Sequence, residues 1–170
     1  LDSEVVLVRS GSLVPIAGSD LQYEFRPHPD FAYLAGYGVA DAVLAYDAKD
    51  QRWQLFGPRS TADEMVWHQP ANEIGLPITE LDEWLKKREQ QPLIESHNDL
   101  KIESGIAETR LRKDELELSA LRFAAATSEA GFSWVYDNVT AGMTEREIQI
   151  GIEAEFFRAG AVRTAYPSIV

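Results

Sequence analysis

Histidine, cysteine and serine supply most metal ligands and nucleophiles in enzymes, and in this chain they form no recognisable site. The three histidines, His28, His68 and His97, are far apart, and neither a His-x-x-x-His nor a Glu-x-x-His pair is present. This spacing favours solvated or capping histidines over metal ligands. The chain has no cysteine, which excludes disulfides and thiolate metal sites.

Other catalytic patterns are equally weak. No Gly-x-Ser-x-Gly nucleophile elbow occurs. The pair Gly36-x-Gly38 lacks the third glycine and the following helix of a dinucleotide-binding loop. The carboxylates of Glu145, Glu147, Glu153 and Glu155 are explained most simply as a solvated helix face. We therefore expect no catalytic residue and no metal ligand in this chain.

Length and composition limit the class of protein. The 170 residues suit one domain, or one small domain plus part of another, and the 45% hydrophobic content is enough for a core. A net charge of −12 leaves no basic stripe for a phosphate backbone. No apolar run approaches the roughly 20 residues that span a bilayer. We expect no nucleic-acid partner and no membrane partner. The first residue is Leu1 rather than Met, so we expect a processed or excised piece.

The stretch from Ser19 to Asp47 is the part around which the other elements are arranged. Pro27 pushes the preceding arginine towards extended geometry. Asp30 is the predicted N-cap of a short helical turn, which Gly36 and Gly38 would end. The simplest interpretation is that Arg26 pairs with Asp20 or Asp30 and that the four aromatic residues of the stretch lie in the core. These aromatic residues are Tyr23, Phe25, Phe31 and Tyr33.

The remaining elements of the first part follow from apolar runs and turn residues. Continuous or alternating apolar runs predict three strands, at 5–8, 42–46 and 53–56. Thr61 with Glu64 resembles a capping box and predicts a short helix. A better helix is predicted over 77–89, with Leu81, Trp84 and Leu85 on one face. The segments 93–94 and 100–106 are too short to assign.

From Leu111 onwards, the pattern predicts two helices and a strand. Asp114 with Glu117 resembles a capping box that starts a helix reaching about residue 137. Thr144 with Glu147 repeats the pattern, and Gly160 fits the position just after the second helix. Residues 162–170 are predicted as a strand that runs to the last residue of the chain. Each helix is predicted to carry a stripe of apolar residues along one face. On the first helix the stripe is Leu118, Leu121, Ala125, Phe132 and Val135. On the second helix it is Ile148, Ile152, Phe156 and Ala159.

These segments together resemble a known family. The run Asp-x-x-Tyr-x-Phe-Arg, then Asp-Phe-x-Tyr-Leu-x-Gly, then Asp-Ala-Val-Leu, is similar to the N-terminal domain of Xaa-Pro aminopeptidases, whose relatives include prolidases and creatinases. The motifs Gly142-Met-Thr-Glu-Arg-Glu-Ile and Tyr166-Pro-Ser-Ile-Val continue the match. The resemblance implies an α/β fold: a creatinase-like mixed-sheet domain with flanking helices over 1–108, then a linker and the first two helices and strand of a pita-bread α+β domain over 109–170.

The resemblance also implies an activity for the intact enzyme. Such enzymes hydrolyse the bond between an N-terminal residue and a following proline, with two divalent metals, usually manganese, cobalt or zinc, that activate a bridging water. Their five ligands, two aspartates, a histidine and two glutamates, would all follow Val170. We therefore expect this chain alone to be inactive. The resemblance further implies proline-containing peptides as substrates, a homodimer or homotetramer, and a cytoplasmic location.

Three residues are candidates for the substrate cleft of the intact enzyme. By resemblance, Trp67 would border a neighbouring subunit's cleft, Arg110 would line the cleft from the interdomain linker, and Tyr166 would lie near the metal site. The turn after Trp67 lacks the glycine usual in the family. The simpler interpretations are a core or interface tryptophan, a surface ion pair and a packed strand aromatic.

Other functions remain open at this point. A Xaa-Pro dipeptidase shares both domains, and a creatinase-like amidinohydrolase is a more remote option. A different class is a non-catalytic module that binds a protein partner through the aromatic patch at 31–37. An argument against this module is that a helix pair without a sheet to cover would expose its apolar stripes.

Overall fold

The computed structural model describes residues 1–60 and 75–170. These residues divide into two compact units, Leu1–Thr109 and Arg110–Val170, called here the N-terminal and C-terminal units. The predicted helix with Thr61 and Glu64, and the candidate Trp67, lie outside the described residues. No helix among the described residues combines the length and hydropathy needed to cross a membrane.

The N-terminal unit is built on a five-stranded mixed sheet. Its strands are β1 (Val5–Arg9), β2 (Val43–Asp47), β3 (Arg52–Gly57), β4 (Leu76–Pro77) and β5 (Leu93–Glu95). Their order across the sheet is β4-β3-β2-β1-β5. The first three strands form an antiparallel meander, whereas β4 runs parallel to β3 and β5 runs parallel to β1. The expected mixed-sheet α/β architecture is therefore confirmed.

The continuous apolar run of β1 is explained by burial of the sheet on both faces. Val5 and Leu7 point into one cluster, with Phe56 and Leu81. Val6 and Val8 point into a second cluster on the opposite face. A strand buried on both sides loses the apolar–polar alternation of a strand with one solvated face. This is why the sequence of β1 has four apolar residues in a row.

Among residues 1–60 and 75–109, three helices cover the two faces of the sheet. They are α1 (Pro29–Ala35), α2 (Leu81–Lys86) and α3 (Leu100–Thr109), with 3₁₀ turns at Ile78–Glu80 and Ser96–Asn98. The predicted face of α2 is confirmed, because Leu81, Trp84 and Leu85 all join the first cluster. The helix is shorter than expected, since the backbone after it closes tighter turns in which the Arg88 N–H bonds to the Leu85 carbonyl.

The predicted cap of α1 was wrong by two residues. His28, not Asp30, occupies the N-cap, and its Nδ1 accepts a hydrogen bond from the Asp30 N–H at 3.3 Å. Proline suits the first helical position because it has a fixed φ and no N–H to satisfy there. Pro29 therefore starts the helix earlier and places Asp30 in its first turn. Gly36 ends the helix as predicted, with φ at 75°.

The aromatic residues of the stretch from Ser19 to Asp47 do not all belong to the core. Phe31 is fully buried and packs in the second cluster. Tyr23 is exposed, on a segment closed by an isolated bridge between Pro15 and Gln22. The guanidinium of Arg26 lies 4.0 Å from the carboxylate of Glu24. The core interpretation therefore holds for Phe31 and fails for Tyr23.

The C-terminal unit contains two helices, α4 (Glu115–Asn138) and α5 (Glu145–Arg158). Both predicted capping boxes are confirmed, at Asp114 with Glu117 and at Thr144 with Glu147. Gly160 follows α5 with φ at 100°. The N–H groups of Gly160 and Ala161 bond back to the carbonyls of Phe157 and Phe156, which is the Schellman arrangement.

The strand predicted at 162–170 is absent. Within the part of the chain that the structure describes, this segment forms bends and irregular backbone. A strand needs a neighbour to pair its backbone N–H and C=O groups. The described residues of this unit contribute no other strand, so the apolar sequence has no sheet to join.

Candidate functional site

Two of the three candidate cleft residues lie in the C-terminal unit. Arg110 is the first residue of that unit and is half-buried, on the turn that follows α3. Its carbonyl accepts a hydrogen bond from the Lys113 side chain. Tyr166 lies on a bend in the last ten residues, and 67% of it is exposed. The third candidate, Trp67, is not among the described residues.

The two helices of this unit interlock through glycines. A Cβ added at Gly131 would lie 2.2 Å from the Phe156 ring, and one added at Gly151 would lie 1.9 Å from the Trp134 ring. Each helix thus offers a glycine to an aromatic ring of the other. The predicted stripe on α4 is only partly buried, because the contact runs instead through residues such as Thr127 and Gly131. Small residues allow this close approach.

An apolar groove of about 490 Å³ lies between α4, α5 and residues 161–170, called here the final segment. Tyr166 lines it, and Arg110 does not. The groove thus contains one of the two described candidates. Sixteen residues contribute, among them the aromatic side chains of Phe123, Phe132 and Phe156 and the guanidinium-bearing Arg163.

Thr127 is a buried polar residue in the lining of this groove. The residue is 7% exposed, and its Oγ1 has no hydrogen-bond partner among the described residues. A buried hydroxyl without a partner costs free energy. Sequence analysis did not single out this threonine, because a threonine inside a helix gives no signal of burial.

One carboxylate of α5, that of Glu153, accepts bonds both from within the helix and from the final segment. Glu153 accepts a hydrogen bond from Gln149 Nε2 at 2.8 Å. The Gln149 and Ser168 side chains together hold the pKa of Glu153 below its usual value. The carboxylates of α5 are therefore not all a plain solvated face, since Glu153 also accepts a bond from Ser168, in the segment that carries Tyr166.

A buried ion pair in the N-terminal unit, between Asp47 and Arg88, has a structural role. Arg88 Nε donates to Asp47 Oδ2 at 2.6 Å, and the guanidinium lies 3.7 Å from the centre of the Trp84 ring. Burial alone would raise the pKa of Asp47, but bonds from Arg88 and from the N–H groups of Asp50 and Lys49 outweigh it and lower that pKa. All the carboxylate's bonds are used within the fold, which favours a structural role.

The described residues do not fit the metal pair that the resemblance implies. Across residues 1–60 and 75–170, no three His, Cys, Asp or Glu side chains come together as a metal site would require. No described side chain is therefore given a step in metal-assisted hydrolysis.

Comparison with known sequences identifies the class of domain. Residues 1–75 match the sequence family described as Aminopeptidase P, N-terminal domain. A probable Xaa-Pro aminopeptidase of Botryotinia fuckeliana is 25% identical over 198 aligned positions, covering 98% of this chain. A probable Xaa-Pro aminopeptidase of Paracoccidioides brasiliensis is 23% identical, covering 99% of this chain. Each of these two relatives is covered over 42% of its own length.

Solved structures share the fold. A proline aminopeptidase P II from Yersinia pestis superposes with a TM-score of 0.77 at 19% identity, over 97% of this chain and 48% of that one. A putative aminopeptidase P from Bacillus anthracis gives a TM-score of 0.79 at 16% identity, over 98% and 50% of the two chains. These likenesses concern the fold alone.

Residues 1–75 are thus similar in sequence to the N-terminal domain of aminopeptidase P, and the chain shares its fold with solved aminopeptidase P structures. The comparisons support the resemblance to Xaa-Pro aminopeptidases that was drawn from the sequence. The chain spans less than half the length of the curated relatives named here.

Proposed function

We propose that this chain is the scaffold portion of a dinuclear-metal Xaa-Pro aminopeptidase, which removes an N-terminal residue that precedes proline. One observation carries the proposal. The likeness to the Botryotinia fuckeliana relative extends over 98% of the chain and so includes both units, whereas the domain match ends at residue 75. A borrowed N-terminal domain on an unrelated protein would not give similarity across the second unit.

In this proposal the two units have different tasks. The N-terminal unit shapes access to the cleft and contributes to a homodimer or homotetramer, with Trp67 reaching a neighbouring subunit. The C-terminal unit begins the pita-bread domain and supplies Arg110 and Tyr166 to the cleft. Two divalent metals, manganese, cobalt or zinc, would be held by residues outside this chain and would activate the attacking water. We place the enzyme in the cytoplasm.

The activity is tested on the whole gene product that contains this chain. With Mn²⁺ added, we expect release of the first residue from a Xaa-Pro-Yaa tripeptide and none from a Xaa-Ala-Yaa control. A dipeptidase would instead cleave the Xaa-Pro dipeptide and leave the tripeptide intact. No turnover with Mn²⁺, Co²⁺ or Zn²⁺ would remove the peptidase assignment and favour a protein-binding module.

The 170-residue chain alone provides a separate test. Because the described residues contain no metal-binding group, we expect no turnover from it with the same metals and peptides. Turnover above background, retained after further purification, would contradict the placement of all ligands outside this chain.

The cleft residues are tested with matched variants in the whole product. Tyr166→Phe removes only a hydroxyl, and Tyr136→Phe is its control on a side chain that is 90% exposed in the same unit. Arg110→Ala is matched by Arg112→Ala, two residues away and exposed. We expect loss of kcat/KM for the first member of each pair only. Equal effects within a pair would indicate a general effect on folding.

A further inference from the structure

A second groove lies in the N-terminal unit, on the sheet face opposite α2. It has a volume of about 360 Å³ and lies between α1, α3 and the strands. Val6 and Val8, both buried, form its floor. Ligand pockets in proteins commonly begin at about 300 Å³ and are mostly apolar with a few polar groups. The groove therefore has the size and lining of a small-molecule site.

One wall of this groove is aromatic and fixed by the sheet. The rings of Tyr46 and Trp53, on the paired strands β2 and β3, are in tilted contact with their centres 4.7 Å apart. Leu34 of α1 and Ile102 of α3 pack on the same cluster. Because these side chains come from strands and helices rather than loops, the wall is formed before any ligand arrives.

The helix α3 contributes to the groove a glycine that leaves room. Gly105 lies inside α3 and lines the groove, and a Cβ added there would meet no atom within 4 Å. Glycine inside a helix weakens it by about 1 kcal/mol relative to alanine. The sequence therefore accepts a weaker helix at a position where a larger side chain would occupy the groove.

The positive charge of Lys101 at the groove favours a negatively charged ligand. Among the described residues that line it, Lys101 contributes the only charged side chain. No carboxylate of the described residues pairs with its ammonium, in a chain whose net charge is −12. An apolar slot whose one charged side chain is an ammonium is complementary to an apolar body that ends in a single carboxylate.

We propose that this groove, lined by Tyr46, Trp53, Lys101, Ile102 and Gly105, binds a small amphipathic monocarboxylate. The hydrocarbon or aromatic part lies along the valine floor beside Gly105, and the carboxylate pairs with Lys101. The site is independent of the candidate cleft residues Arg110 and Tyr166, neither of which lines it.

Decanoate is the probe, titrated into the 170-residue chain below its micellar concentration and followed by calorimetry and by amide NMR shifts. We expect one saturable site, with shifts centred on β1, β3 and α3. Decylammonium, with the same chain and the opposite charge, should bind about tenfold more weakly or not at all. Equal binding of the two probes would overturn the choice of ligand.

Two variants with matched controls locate the site. Gly105→Leu extends into the groove from a position where a Cβ meets no atom within 4 Å, and it should abolish the saturable signal. Ala107→Leu, on an exposed position of the same helix, should not. Lys101→Glu should weaken decanoate about tenfold, and Lys49→Glu, the same charge change away from the groove, should not. Circular dichroism checks the fold of each variant.

Several results would overturn the proposal. They are absence of a saturable signal in the unchanged chain, NMR shifts centred on the groove between α4 and α5, and unchanged binding in a folded Gly105→Leu variant. If Gly105→Leu does not fold, unchanged binding by Lys101→Glu gives the same negative answer.

Discussion

The two units bury their apolar residues to very different degrees. The N-terminal unit encloses two clusters, one on each face of the sheet, that contain fully buried side chains such as Leu7, Phe31 and Phe56. In the C-terminal unit the buried residues of α4 are Thr127 and Gly131, and none of the α5 residues is buried. Large apolar side chains there, including Phe132 and Tyr136, are more exposed than buried.

The difference shows that burial and helix-end signals are independent properties. Both helices of the C-terminal unit have complete capping boxes, yet their stripes are only partly covered by described residues. Local hydrogen bonds define where a helix begins, whereas most of its stability in a folded protein comes from packing. We therefore expect substitutions of apolar residues to lower the free energy of unfolding more in the N-terminal unit than in the C-terminal unit.

The largest expected effect comes from deleting a ring in each unit. Phe56→Ala removes a fully buried side chain from the first cluster and should lower the free energy of unfolding by about 3–5 kcal/mol. Phe132→Ala removes a ring that is 65% exposed and should cost less than about 1 kcal/mol. Urea denaturation measures both. Equal losses would contradict the difference in burial between the units.

Removing the buried ion pair should have the next largest effect. Asp47→Ala leaves the Arg88 guanidinium without its closest acceptor and should cost about 3 kcal/mol. Asp50→Ala is the control, because that carboxylate is exposed and 3.7 Å from the same guanidinium. Urea denaturation of the two variants at neutral pH measures the difference, and a larger loss for Asp50→Ala would contradict it.

The same pair predicts the pH dependence of stability. The folded state holds the pKa of Asp47 below its ordinary value of 3.8, so the folded state stabilises the ionised carboxylate. This stabilisation is fully present above that value and is lost as the pH falls through the lower folded pKa. Unfolding free energies measured from pH 6 to pH 2 should decline less steeply in Asp47→Asn than in the unchanged chain.

A smaller effect distinguishes two helical glycines. Gly131→Ala places a methyl group against the Phe156 ring and should cost about 1–3 kcal/mol within the C-terminal unit. Gly105→Ala meets no atom and should stabilise α3 by up to about 1 kcal/mol. Hydrogen exchange of amides in α3, α4 and α5 measures each change locally. If both variants were stabilising, α4 and α5 would not pack closely at Gly131.

The smallest expected effects concern the helix caps. Asp114→Ala and Thr144→Ala each remove a side-chain acceptor and should cost about 1 kcal/mol. Ser128→Ala is the control, because its hydroxyl bonds within α4 to the Ala124 carbonyl and caps no end. Faster exchange should appear at the first turn of the affected helix only. Uniformly faster exchange throughout both helices would indicate that the caps support the whole unit.

Much of this fold could be predicted from local sequence. The four apolar residues of β1, the residues at the two capping boxes and the glycine after α5 all act on neighbours within a few positions, and the structure confirms them. Asp30 was misplaced as a cap because His28 and Pro29 together start the helix earlier.

Contacts between distant residues could not be predicted. Asp47 and Arg88 are 41 residues apart, and no local sequence pattern around either residue indicates that they pair. The strand predicted near Tyr166 was wrong for a related reason, since an apolar run becomes a strand only where another strand pairs with it. The candidate cleft residues came from family resemblance alone, and their roles stay predictions.

The parallel pairing of β5 with β1 has a consequence for synthesis on the ribosome. Arg9 and Glu95 close the sheet edge with a two-pronged ion pair, although 86 positions separate them. A nascent chain can complete the meander of β1, β2 and β3 well before β5 emerges, and until then one side of β1 is an open template for another chain. We therefore expect newly made protein to be most prone to self-association between completion of the meander and the emergence of β5. Once Leu93–Glu95 has been translated and pairs with β1, this open edge is covered.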